Sequence, residues 1–230
     1  MGDTFRIVLA IHIFFGGVAL FVAPGAILTR KGGLWHRRWG KVYFWSMAAV
    51  AASAILLSSL RPGLFLFLVA VFSFYLAFTG YRVLYRKTPT ERANFLDWGA
   101  AALMLAGGIG LIGYGLLLLR TSTFGTVAVV FGGIGLLLAL SDAHAFLRPP
   151  ADKRAWWFTH MRRMLGAYIA TVSAFSAVNF YFLPPLVRWL WPTVVGLIGT
   201  YIWTLHYRQK FSAASARSKP VVRESPAVRI

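Results

Sequence analysis

Apolar runs alternate along the chain with two kinds of connection, basic loops and very short turns. A helix that crosses a bilayer needs about 20 apolar residues. Seven stretches meet that length: 5–28, 42–60, 64–84, 98–119, 125–147, 164–183 and 186–206. Connections 29–41, 85–97 and 148–163 are longer and basic, whereas 61–63, 120–124 and 184–185 suit tight helical hairpins. The pattern predicts an all-α polytopic membrane bundle of seven transmembrane helices over residues 1–207. A Ser-, Pro- and Arg-rich tail, 208–230, has no apolar face and reads as disordered. The first run is too long for a signal peptide and is followed by a basic loop, so it reads as a retained span.

Charge adds an orientation. The three longer loops and the tail, with Arg82 at the end of the third run, hold 20 of the 24 Lys and Arg, while Arg6, Arg61, Arg120 and Arg188 fall on the other side. The positive-inside rule then predicts N-out, C-in. Trp35, Trp39, Trp45, Trp98, Trp156, Trp157 and Trp203 fall near the inner interface, and Trp189 and Trp191 near the outer one.

Composition agrees: 58% of residues are hydrophobic, 13% are charged, and the mean hydropathy is +0.66. A net charge of +18 in a soluble domain would suggest nucleic acid. Here the cations sit between apolar runs, so the expected partners are the bilayer and its anionic headgroups at the inner face, with no nucleic acid. The absence of cysteine removes disulfides, iron–sulfur clusters and covalent haem attachment.

Polar side chains at membrane depth call for a function or a partner. His12 is the deepest ionisable group, either bonded to another helix or part of a relay. His36, His144, His160 and His206 lie at the inner face with Asp97 and Asp142. One reading gathers His36, His144 and His160 with Asp142 into a site that could hold a transition metal or haem b. The other spreads these groups around a wet interface, with Asp97 capping a helix. On a helical wheel His160, Tyr168, Thr171, Ser176 and Asn179 share one arc of the sixth span. Asp97, Tyr168, Thr171, Asn179 and His12 would line the approach to such a site.

Several chemistries are excluded. No HExxH or HxxxH is present, and all six lysines lie in loops or the tail, which leaves no residue for a retinal Schiff base. No carboxylate lies at mid-membrane, where ion-coupled carriers usually keep one. GGIGL occurs at 107–111 and again at 132–136, a pattern that suits close backbone contact between two helices. Pro24-Gly25 is expected to bend or end the first span.

IHIFFGGVALFVAPGAILTRKGGLWHRRWGKVY, residues 11–43, resembles the opening of a bacterial membrane-protein family known as domain of unknown function 2306. The matching positions are His12, Pro24-Gly25, His36-Arg37, Gly40 and Tyr43. HMRRMLGAY, residues 160–168, is similar to a later motif of that family through His160, Arg163, Met164 and Tyr168. The bend reads Pro-Gly rather than Gly-Pro, and the later motif lacks a tryptophan. The resemblance implies a multi-pass protein of a bacterial inner membrane and brings no established activity. It singles out His12, His36 and His160 over His144 and His206. Three functional classes stay open: a metal- or haem-binding, redox-active membrane protein; a carrier or binding protein for a small apolar or amphipathic molecule; and an assembly scaffold. Oligomerisation stays open as well.

Overall fold

A computed structural model describes residues 2–61 and 63–217, with side chains to residue 213. The described residues form seven α-helices, one short 3₁₀ turn and no strand. The helices are α1 (Asp3–Leu28), α2 (Leu34–Leu60), α3 (Leu64–Arg82), α4 (Phe95–Leu118), α5 (Gly125–Leu147), α6 (Ala155–Asn179) and α7 (Pro185–Arg217). The 3₁₀ turn, Val83–Tyr85, extends α3. Each helix falls on one predicted run. Five of them, from α1 through α5, are long and apolar enough to cross a membrane.

Phe14, Phe21, Leu103, Leu137 and Ile202 are exposed on the bundle's outside. In water so much outward apolar surface would drive association; in lipid it is the matched surface. The polar residues divide accordingly, with the basic loops at 29–33, 86–94 and 148–154 gathered at one end of the bundle.

Helix α3 is the hub, packing against α2, α4, α5 and α6. Its Phe72, Tyr75, Leu76 and Ala77 enter the main core with Met104 of α4, Ala139 of α5 and Ala167 of α6. A second core, toward the other end, sets Trp189 among Phe65, Phe124 and Phe131. Trp189 is thus buried rather than displayed at an interface, while Trp191 donates its indole N–H to Ser176 Oγ at 2.8 Å.

The repeated glycines bring α4 and α5 into backbone contact. A Cβ on Gly132 would lie 2.7 Å from Gly108 O, and one on Gly115 would lie 2.7 Å from Gly125 O. The two pairs run in antiparallel register two turns apart, which only residues without a Cβ permit.

Pro24 lies inside α1, and the helix continues to Leu28 instead of ending at the Pro-Gly step. Gly25 beside it receives the Trp39 ring, whose Cδ2 would be 3.2 Å from an added Cβ. At the far end of the chain, α7 runs through Arg217, so the first part of the expected tail continues the helix. Residues 218–230 lie outside the described part.

Candidate functional site

The basic loop after α1 is first a helix terminator. The last carbonyls of an α-helix have no partner within it. Here Thr29 Oγ1 donates to Gly25 O at 2.8 Å, Lys31 Nζ donates to Ile27 O, and His36 Nδ1 donates to Ala26 O at 2.9 Å. Gly32, at φ 76°, takes the left-handed turn that allows the chain to reverse into α2. Burial holds the Lys31 ammonium below its ordinary pKa.

His160 repeats this arrangement on another helix. From the first turns of α6 it gives Nδ1–H to Gly80 O, 2.7 Å away and close to the end of α3. Gly80 allows the approach: an added Cβ would sit 2.9 Å from Met164 Sδ and 3.0 Å from Arg163 Cβ.

The two rings meet. His36 and His160 stand with centroids 6.2 Å apart and planes at 76°. In both, Nδ1 is committed to a carbonyl, which fixes the tautomer and leaves Nε2 with a free lone pair. They line a cavity of ≈ 390 Å³ with Lys31, Arg37, Lys41, Lys87, Tyr43 and Tyr168, closed by Met161, Met164, Leu165 and Trp203. Among the described residues no carboxylate lines it. Lys31 stacks over Trp203 and Lys87 over Trp156, each 5.1 Å from the ring centre. Tyr43, fully buried, closes the membrane side by a 3.2 Å bond to Thr171 Oγ1. The geometry can hold a ligand that is anionic at one end, apolar along its body, and bonded to imidazole nitrogen.

The other sequence candidates lie elsewhere. His144 is exposed on α5 and outside this cavity. Among the described residues no group of three or more His, Asp or Glu side chains is placed to hold a metal. Asp142 is buried, bonded to Arg163 Nη2 at 2.7 Å and to Tyr75 Oη at 2.5 Å. Asp97 belongs to a capping box with Asn94 at the start of α4, where Arg82 grips it through two nitrogens at 3.1 and 2.9 Å. His12 bonds Ser53 Oγ at 3.0 Å and Val50 O at 3.2 Å on α2. Asn179, the last residue of α6, is exposed and bonds back to Phe175 O. His206 is exposed on α7. Of the proposed set, then, His36, His160, Tyr168 and Thr171 come together.

A family model described as "Predicted membrane protein (DUF2306)" matches residues 9–147. The chain belongs to that family. No curated protein and no solved structure matches it. The matched stretch ends with α5, so His12 and His36 fall inside it and His160 falls outside. The cavity of this family member therefore joins a wall from the matched region to one from α6 and α7. In the sequence Arg163 stands out only as a motif position. Its pairing with Asp142 had no linear signal, because 21 residues and a loop separate them.

Proposed function

We propose that this membrane protein crosses the bilayer of a bacterial inner membrane seven times, N-out and C-in. We further propose that its basic, cytoplasmic end binds a haem-type ligand through His36 and His160. One observation carries the second reading: two imidazoles, each with Nδ1 held by a helix-end carbonyl, have ring centres 6.2 Å apart in a cavity that no carboxylate of the described residues lines. Two metal–nitrogen bonds of about 2 Å each, with ring centres about 1 Å beyond each nitrogen, give a centroid separation of about 6 Å for a shared ion.

The charge around the pair favours a chelated metal over a bare one. Lys31, Arg37, Lys41 and Lys87 would repel a free divalent cation. The same four cations would pair with the carboxylate arms of a porphyrin, whose apolar body suits Met161, Met164 and Leu165. The volume is within the range of ordinary cofactor pockets, about 300–1,000 Å³. His144 and Asp142, placed elsewhere, have no part in this reading.

The test is a visible spectrum of the full chain, purified in detergent and titrated with haem b. A low-spin Soret band that His36→Ala and His160→Ala each abolish is the expected result. Absence of the band from the haem-titrated wild type sinks the reading. The cationic rim also favours a metal-free amphipathic anion. That alternative predicts binding of a fluorescent fatty acid that survives His36→Ala and weakens on Thr171→Val.

A further inference from the structure

A second cavity, ≈ 230 Å³, opens at the same end of the bundle between the 86–94 and 148–154 loops and the starts of α6 and the end of α5. Its ionisable lining is Arg86, Lys87, Arg92, Arg162 and Arg163 against Glu91, Asp142 and Asp152. All three carboxylates are already engaged. Glu91 accepts from the Lys87 and Thr88 amides, Asp152 from the Arg154 amide, and Asp142 from Arg163 and Tyr75.

The guanidinium groups are not fully engaged. Arg163 has a side chain only 6% exposed, and while its Nη2 serves Asp142 and Leu138 O, its Nη1 is buried without a partner among the described residues. Arg86 reaches Asp97 at 3.5 Å and packs on the Phe146 ring, yet its Nε is also buried without a partner among the described residues. Burying an ionised N–H donor unpaired is costly, and both arginines that carry such a donor line the same cavity. An anion with several acceptor oxygens, met by a small turn of each guanidinium toward the cavity, would relieve both costs, and guanidinium is the group best matched to it.

We propose that this second cavity is an oxyanion site that takes a phosphate group, with Arg86 and Arg163 as its principal donors and Arg162 and Arg92 at its mouth. The phosphate is either a free ion or the headgroup of an anionic lipid, since the opening lies among the loops beside the membrane-facing helices. The site does not depend on haem at the His36–His160 pair; among the described residues only Lys87 and Trp156 are shared between the two cavities.

The test uses the detergent-purified full chain in two arms. Calorimetry with inorganic phosphate reads a free ion. Native mass spectrometry after release from nanodiscs of phosphatidylcholine with phosphatidylglycerol reads a retained lipid. Arg163→Lys keeps a cation for Asp142 while deleting the unpaired Nη1, and Arg86→Lys does the same for Nε. Each is expected to weaken the bound phosphate or lipid about tenfold, for one charge-assisted hydrogen bond, with thermal unfolding close to wild type. A response in the first arm assigns the free ion, and one confined to the second assigns the lipid. No binding in either arm, or binding unchanged in both variants, means that water fills the cavity and overturns the proposal.

Discussion

His36 and His160 each close the carboxyl-terminal end of a different helix, His36 at Ala26 O of α1 and His160 at Gly80 O of α3, and their rings meet across the cavity between. Capping uses Nδ1 and the proposed ligation Nε2 of the same ring, so one substitution tests both roles at once. Replacing His160 with Ala leaves Gly80 O without its side-chain donor and is expected to lower stability by about 1–2 kcal/mol. The same change should remove the Soret band entirely. His144→Ala should alter neither, because that ring is exposed and away from the cavity. Thermal unfolding and the visible spectrum, recorded on one preparation, check both statements.

Asp142 and Arg163 should behave as a buried pair. Their side chains are 9% and 6% exposed, and Tyr75 adds a third member at 2.5 Å. Removing one partner strands the other charge, so Asp142→Leu or Arg163→Met alone is expected to cost about 3–5 kcal/mol. The double variant should recover most of that loss, since an apolar pair of similar volume carries no desolvation penalty. Unfolding of the four proteins in one detergent closes the cycle; additive losses would mean that the two residues do not act together.

The helices were legible in the sequence because a run of apolar residues broken by charge has one economical arrangement in lipid. The glycine contact between α4 and α5 was legible for a related reason: GGIGL supplies a Cβ-free stripe on each helix. The site was legible only in part. His36 and His144 look alike as linear positions, both at the inner end of an apolar run. What separates them is the turn at Gly32, which brings the His36 ring to Ala26 O, whereas His144 stays exposed on α5. The arc on α6 predicted an inward Asn179, but the helix ends there and its amide bonds back to Phe175 O. Asp97 and Asp142 are held by Arg82 and Arg163, partners on other helices whose alignment no local spacing reveals.

Adjacent glycines in α5 should respond in opposite ways. A Cβ on Gly132 would collide with Gly108 O, whereas nothing lies within 4 Å of one on Gly133. Gly132→Ala is therefore expected to push α5 from α4 at a cost of about 1–3 kcal/mol. Gly133→Ala should be neutral or stabilising by up to about 1 kcal/mol through helix propensity. Equal effects in a thermal unfolding assay would show that backbone contact is not what these glycines provide.

Acid should loosen the 86–94 loop. The Thr88 and Lys87 amides hold the exposed Glu91 carboxylate below its ordinary pKa. A carboxylate depressed by folding contributes its ordering fully above the ordinary glutamate pKa, about 4.3, and loses it as pH falls through the lower folded value. Amide exchange at Lys87 and Thr88, corrected for intrinsic rate, should accelerate over that acidic window. Glu91→Gln should flatten the dependence, because the amide oxygen still accepts but no longer titrates.

Orientation has a direct test that the composition makes clean. The chain contains no cysteine, so each introduced thiol is the sole target of a maleimide. Thr123 lies exposed in the tight α4–α5 connection, and Lys153 lies exposed in the basic α5–α6 connection. With N-out, C-in spans, Thr123→Cys should react with a membrane-impermeant maleimide in intact spheroplasts. Lys153→Cys should react only after the membrane is opened. Loss of one cation among the 20 on that side should not invert the protein, since orientation follows the summed Lys and Arg bias of the loops. The reverse labelling would place the His36–His160 cavity on the outside. Thr123→Cys and Lys153→Cys labelling together from one face would mean that α5 does not cross the bilayer.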